Sequence, residues 1–222
     1  GFTKGTFNLL EVESNVPVKS YSQLIINIIC IFISNKRGVL ISAMDGINSD
    51  LIDKRKLFVT LDTAAISKYM RILQEKLIDR IEIRPYIIQA KDDATFNDLF
   101  FETYAKLSAK TKFQPIFAAC AYDTIKFMVD FEEEMRNFYK HIKLIRNSNV
   151  IELGIINSEI GEKSHSQINS RMITQDLSYI SNTHIKVLER HGSIILYGVK
   201  PRTNLFELKH TENNEIILRP IV

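Results

Sequence analysis

At 222 residues, 45% hydrophobic and 25% charged with only 8 Gly and 5 Pro, the chain has the composition of an ordinary soluble domain with one substantial core, and it carries no low-complexity segment. Its net charge of +3 permits nucleic acid or an acidic partner without arguing for either. Cys30 and Cys120 both sit in apolar runs; they read as core thiols of a reducing, cytoplasmic protein and lack the company a zinc site needs.

The first predicted element is a buried strand over 7–11 (FNLLE), followed by a loop from Glu13 to Val18. Residues 21–35 are apolar nearly all round and predict a buried helix, ended by a cap at Asn35-Lys36-Arg37-Gly38. The run 24–33 within it is too short to span a bilayer and is not N-terminal, so neither a membrane segment nor a signal peptide is expected. The chain opens Gly-Phe without a methionine, which leaves room for residues upstream.

A second strand is predicted at 38–43 (GVLISA), then helices around Leu51 and over 63–78, and a strand over 81–87. Residues 97–110 read as helix, 115–121 (PIFAACA) as an apolar strand ending in Tyr122-Asp123, 124–146 as helix with an acidic Glu132-Glu133-Glu134 face, and 150–157 as another buried strand. Residues 158–174 are polar and loop-like. From His184 onward, short alternating runs broken at His191-Gly192 and Glu212-Asn213-Asn214 predict β-hairpins. Apolar strands separated by helices predict an α/β fold with a mostly parallel central sheet flanked by helices, its edge extended by C-terminal antiparallel hairpins, all within a single domain over 1–222.

One constellation carries chemistry. A phosphate loop has the pattern G-x-x-x-x-G-K-[ST] between a strand and a helix. Glu13, four residues, Val18, Lys19 and Ser20 keep that spacing and context, but not the glycines. About a hundred residues later, an apolar strand ends in Asp123, the position at which such folds hold a Mg²⁺-linked water.

With these features the chain resembles the RecA superfamily, in particular archaeal RadA-paralogue and KaiC-like ATPase domains. The likeness runs over nearly the whole length. Residues 1–5 (GFTKG) resemble the family's Gly-rich lead into its first strand, and 38–42 its next strand, after which the family carries acidic catalytic residues; Met44-Asp45 stand there. Tyr122-Asp123-Thr124 resembles the Walker B end. Val187-Leu188-Glu189-Arg190 and Lys200-Pro201-Arg202 resemble the closing strands, whose Lys-x-Arg pair reaches a neighbouring subunit's nucleotide in ring-forming relatives. The resemblance implies a RecA-like three-layer fold. It implies ATP and Mg²⁺ as cofactors, with Lys19, Ser20 and Asp123 binding nucleotide, Ser20 and Asp123 holding Mg²⁺, Asp45 at a degenerate catalytic position, and Lys200 and Arg202 acting in trans. It also implies a homo- or hetero-oligomer with a RecA-fold paralogue.

The missing glycines argue against a tight ATP site. Val16 and Val18 are β-branched, and each residue forced into a left-handed conformation costs roughly 1–2 kcal/mol. Pro17 has no N–H to offer. A Glu13 carboxylate about 4 Å from a phosphate oxygen would be repelled by roughly 4 kcal/mol at an effective dielectric of about 20. The expectation is therefore a non-catalytic or weakly catalytic subunit, regulatory or scaffolding in an oligomeric assembly. The alternative is an ATP-dependent DNA-repair or recombination accessory protein with an unusual but functional ATP site. Bland readings stand beside these: Asp123 as a helix cap, Lys200 and Arg202 as solvated edge residues, Lys54-Arg55-Lys56 as a solvated helix face, and Lys163, His165 and Arg171 on a plain loop where recombinases carry a DNA-contacting one. The five histidines, His141, His165, His184, His191 and His210, are scattered without metal-ligand spacing and are expected at the surface. DNA binding, if present, is expected to be weak and electrostatic, since no clustered aromatic–basic surface is legible.

Overall fold

The computed structural model describes residues 3–42, 58–63, 87–90, 93–122, 131–158, 165–211 and 216–221. In chain order these form β1 (Thr6–Glu13), α1 (Val18–Ser34), β2 (Val39–Ser42), β3 (Phe58–Thr63), β4 (Ile87–Ala90), α2 (Asp93–Lys110), β5 (Ile116–Ala121), α3 (Phe131–Arg146), β6 (Val150–Ser158), α4 (His165–Ile180), β7 (Thr183–Arg190), β8 (Ser193–Lys200), β9 (Phe206–His210) and β10 (Ile216–Pro220). The strands make one 10-stranded sheet in the order β10-β9-β8-β7-β1-β6-β5-β2-β3-β4. Pairing is parallel from β7 through β4 and antiparallel from β7 out to β10. The fold is thus α/β, with the C-terminal hairpins on one edge.

The central strands are apolar because both of their faces are covered. On one face Leu10 and Val12 of β1, with Val39, Ile41, Phe117, Ala119, Leu153 and Ile155, pack against Tyr21, Ile25, Ile29 and Phe32 of α1. The period of two sends Phe7 and Leu9 to the other face, where they meet Met135, Phe138 and Ile142 of α3 and Ile173 and Leu177 of α4. Further along that face Leu40, Ile116, Ala118 and Cys120 pack on Phe100 and Leu107 of α2.

Local chemistry sets the ends. The α1 helix closes with Lys36 at φ 59, and Arg37 N donates to Phe32 O at 3.0 Å; the left-handed residue of the expected cap is therefore Lys36 rather than Gly38. The turn between β7 and β8 has φ 52 at His191 and 81 at Gly192, the two positive values that a two-residue hairpin of matching twist requires. Residues 165–174, expected in a loop, belong to α4, because Ile173 and Leu177 share one helical face buried on the sheet. The expected helices near 51 and over 63–78, and most of the strand expected over 81–87, lie outside the described residues, as does the Lys54-Arg55-Lys56 cluster.

Gly154 of β6 is where the aromatic packing is tightest to the backbone. A methyl group there would come within 2.6 and 2.8 Å of the Phe7 ring and 2.9 Å of the Tyr122 ring. Phe7 is fully buried and meets Tyr122 and Phe138 edge-on, so it has little room to retreat. Gly154→Ala is expected to lower stability by roughly 1–3 kcal/mol, read as a shift of the urea midpoint; an unshifted midpoint would show that the rings move aside freely.

Candidate functional site

In an open α/β sheet, ligands sit outside the carboxyl ends of the strands, where neighbouring strands send their connections to opposite faces. Here β1 leads into α1 on one face and β6 into α4 on the other, so the switch point falls between β1 and β6. Their ends meet at Glu13 and Ser158.

The β1–α1 turn at this point is short and closed on itself. Ser14 N donates to Ser158 O at 3.0 Å, Val16 N to Glu13 O at 2.9 Å and Ser20 N to Pro17 O at 2.9 Å. Val16 is buried in the α1 core cluster. Lys19 and Ser20 lie in the first turn of α1, with Ser20 buried.

Glu13 is not in the loop. It is the last residue of β1, buried, and its carboxylate receives Arg190 of β7 in a fork, Nη1 at 2.7 Å and Nη2 at 3.1 Å. The repulsion expected between this charge and a phosphate is therefore not what the geometry presents, since Arg190 neutralises the carboxylate. Two residues earlier on the same face, Glu11 takes Lys186 Nζ at 2.9 Å and His184 Nε2 at 3.0 Å, and His184 Nδ1 meets Ser178 Oγ of α4 at 2.8 Å. Burial alone would raise the Glu11 pKa, but the hydrogen bonds from His184 and Lys186 and the Lys186 charge overcome it and hold it at about 2. Lys186 is held above its ordinary value: burial opposes this, and Glu11 outweighs it.

A second polar group lies deeper on this side. Glu152 of β6 is fully buried; it accepts the Tyr122 hydroxyl and faces His141 Nε2 of α3 at 2.7 Å. Its backbone carbonyl takes Asn8 Nδ2 at 3.0 Å. Burial first, and then the Glu152 charge, push the Tyr122 hydroxyl and the Cys120 thiol well above their ordinary values. Both stay protonated, and the hydroxyl remains a donor.

His141 and His184 are thus core residues at 3% and 4% exposure, contrary to the surface positions expected, because each has a buried carboxylate to face. Asp123 and Asp45 lie outside the described residues. Lys200 ends β8, level with His184 and hence with Leu9 of β1, four residues short of Glu13, or about 13 Å along the strand. Its amine donates to Ser181 O at 2.5 Å and Tyr179 O at 3.2 Å, and Arg202 is exposed in the turn that follows. The structure does not bring Lys200 to the β1–α1 turn of its own chain. Glu11, His184, Lys186 and Arg190, to which the phosphate-loop pattern does not point, have one signal in the sequence: charges alternating with apolar residues inside two strands, LLEVE and HIKVLER, of opposite net sign. Among the described residues no group of His, Cys, Asp or Glu could hold a metal ion.

The mostly parallel sheet with its C-terminal antiparallel hairpins has a KaiC-like fold, as the comparison with solved structures shows. The chain is similar over 99% of its length to a KaiC-like protein of the hyperthermophilic archaeon Pyrococcus horikoshii, with TM-score 0.55, 13% identity and 92% of that chain covered. It is similar over 99% of its length, with TM-score 0.67 and 10% identity, to an uncharacterized protein of the same organism crystallised with an unknown peptide, 94% of which is covered. No protein-family model and no curated protein matches the chain.

Proposed function

We propose that this chain is a RecA-like subunit, of the three-layer kind, that does not turn over ATP by itself and serves as a regulatory or scaffolding partner in an assembly with a RecA-fold paralogue. The observation that carries this is the closed β1–α1 turn. A phosphate cradle needs converging backbone N–H groups. Here those of Ser14, Val16 and Ser20 are spent on carbonyls, Pro17 has none, and Val16 is anchored in the core. That a protein of similar fold was crystallised with a peptide is in keeping with a protein-binding role. Within such an assembly, exposed Arg202 is the better placed of the Lys-x-Arg pair to reach a neighbour's nucleotide, because the Lys200 amine is engaged at the end of α4.

A second reading keeps a working ATP site, and with it an accessory role in DNA repair. It is supported by the placement of Lys19 and Ser20 in the first turn of α1, beside the switch point.

The expected result is no phosphate release from Mg·ATP above background by the purified chain. Release that vanishes in Asp123→Ala, or micromolar ATP affinity that vanishes in Lys19→Ala, would establish the second reading instead. The role in trans is tested by mixing the chain with candidate paralogues: stimulation of their ATPase that Arg202→Ala abolishes supports it, and equal stimulation by both proteins removes it.

A further inference from the structure

Ser178, His184 and Glu11 stand in a hydrogen-bonded row on the face of the sheet opposite α1. Ser178 Oγ of α4 lies 2.8 Å from His184 Nδ1 of β7, and His184 Nε2 lies 3.0 Å from Glu11 Oε2 of β1. The carboxylate at the end sets the direction of both bonds. An ionised carboxylate accepts and does not donate, so Nε2 carries the hydrogen that Glu11 receives. In the neutral ring Nδ1 then presents a bare lone pair, and the Ser178 hydroxyl donates to it. Glu11 is ionised throughout the ordinary pH range, and its other oxygen is fixed by Lys186 Nζ at 2.9 Å. His184 and Glu11 are buried, which shields their bond from water, whereas Ser178 is half-buried in the last turn of α4 and is the member of the row nearest solvent. The carbonyl end of that helix favours a cationic ring beside it. Lys200 Nζ sits on the carbonyls of Tyr179 at 3.2 Å and Ser181 at 2.5 Å, which brings a cation to the same turn of helix as Ser178, with a third N–H to give.

We propose that Ser178 is a nucleophile for acyl transfer from small aryl esters of carboxylic acids, with His184 as its general base and Glu11 as the residue that positions the ring. A hydroxyl on a base that a third group orients is the arrangement that activates a serine, and it is defined by these roles rather than by chain order. Ser178 Oγ attacks the ester carbonyl carbon, and its proton passes to His184 Nδ1. Glu11 stabilises the imidazolium that forms. The carbon–oxygen bond to the leaving phenol breaks, and Nδ1 returns the proton to the phenolic oxygen. Water then attacks the acyl-serine, again giving its proton to Nδ1, and Ser178 is regained as the carboxylic acid departs. The N–H groups around Ser178 are bonded within α4, so Lys200 is the donor for the oxyanion. That suits an ester whose phenolate leaves with little help better than an amide. Tyr179, 85% exposed beside Ser178, offers its ring to the aryl group. None of the N–H groups of the β1–α1 turn takes part, so the row acts whether or not that turn binds phosphate.

The test uses the purified chain with p-nitrophenyl acetate, and separately with a fluorophosphonate probe followed by peptide mass analysis. A burst of nitrophenol is expected, together with probe on Ser178. Ser178→Ala, at a half-exposed position that leaves the circular dichroism unchanged, should abolish burst and label and lower turnover about a hundred-fold or more. Ser193→Ala, on β8, should change neither. The charged groups about the ring are Glu11, Lys186 and Lys200, and Glu11 is the anion among them. Glu11→Gln should therefore move the pH dependence of kcat/KM to lower pH, which a loss of folded protein would not do. Absence of burst and label in the wild type, probe on another residue, or burst and label retained in Ser178→Ala would overturn the proposal and leave the row a structural tie. An unmoved pH profile in Glu11→Gln would overturn the role of Glu11.

Discussion

Glu152→Ala is expected to cost roughly 3–5 kcal/mol, a large share of the stability of a domain of this size. The carboxyl group sits at zero exposure in β6, between β1 and β5, and ties three elements together through Tyr122, His141 and its own strand. Removing it leaves the Tyr122 hydroxyl a donor that has lost its carboxylate acceptor, with the weakly accepting Cys120 sulfur beside it. It also withdraws the carboxylate that His141 faces, while the imidazole stays wedged edge-on against Phe100 with ring centroids 4.9 Å apart. A void remains where the side chain was, and its cost grows with how little the surrounding rings can relax into it. Glu152→Gln keeps the volume and an acceptor for Tyr122, so it should cost clearly less. Urea denaturation of the three proteins separates the terms: a loss in Glu152→Ala of under about 1 kcal/mol would mean that the buried group is offset by its own desolvation, as buried pairs sometimes are.

Acid unfolding is expected to run through Glu11. Its carboxyl has an ordinary value of 4.5 and is held at about 2 in the folded protein. Between those pH values the unfolded chain binds more protons than the folded one, so stability rises with pH there. The contribution is complete above pH 4.5 and is lost as pH falls to about 2. Its full size is roughly 3 kcal/mol, since each pH unit between the two values contributes about 1.4 kcal/mol. Glu11→Gln should remove most of it at neutral pH and flatten the acid limb of the stability profile. Because Lys186 then loses the carboxylate it is bonded to, part of the loss reflects its weakened charge pairing; Glu11→Gln combined with Lys186→Met separates that part. Urea midpoints measured from pH 2 to 7 on the three proteins are the check. Parallel profiles for wild type and Glu11→Gln would refute the assignment.

Much of the fold was legible because its signals are local. The apolar runs of β2 and β5 are nearly continuous, as strands covered on both faces should be, those of β1 and β6 are interrupted only by a few polar residues, and α1 shows an apolar surface long enough to exclude a strand. The turn at His191-Gly192 announces its hairpin through a residue pair that tolerates positive φ. The first half of α4 was not legible. HSQINSR is polar enough to pass for loop, and it is helical because the chain continues into Ile173 and Leu177, whose burial on the sheet stabilises the whole helix.

The Lys19-Ser20 spacing and the strand–turn–helix context are properties of the sequence itself, and they placed the candidate site at the end of β1. What surrounds that site was decided by tertiary structure. Glu13 stands where a phosphate loop has a glycine, and its side chain could have faced the turn or the sheet; the period of two in β1 and the arrival of Arg190 from β7, 177 positions away, send it to the sheet. Glu11 with His184, and Glu152 with His141 and Tyr122, are likewise pairs of distant residues, each too costly to bury alone and stable only together. Strand, helix and turn preferences act over a few residues and can be read along the chain. Desolvation of a charge depends on what the fold brings within about 3 Å of it, and a linear spacing does not carry that distance.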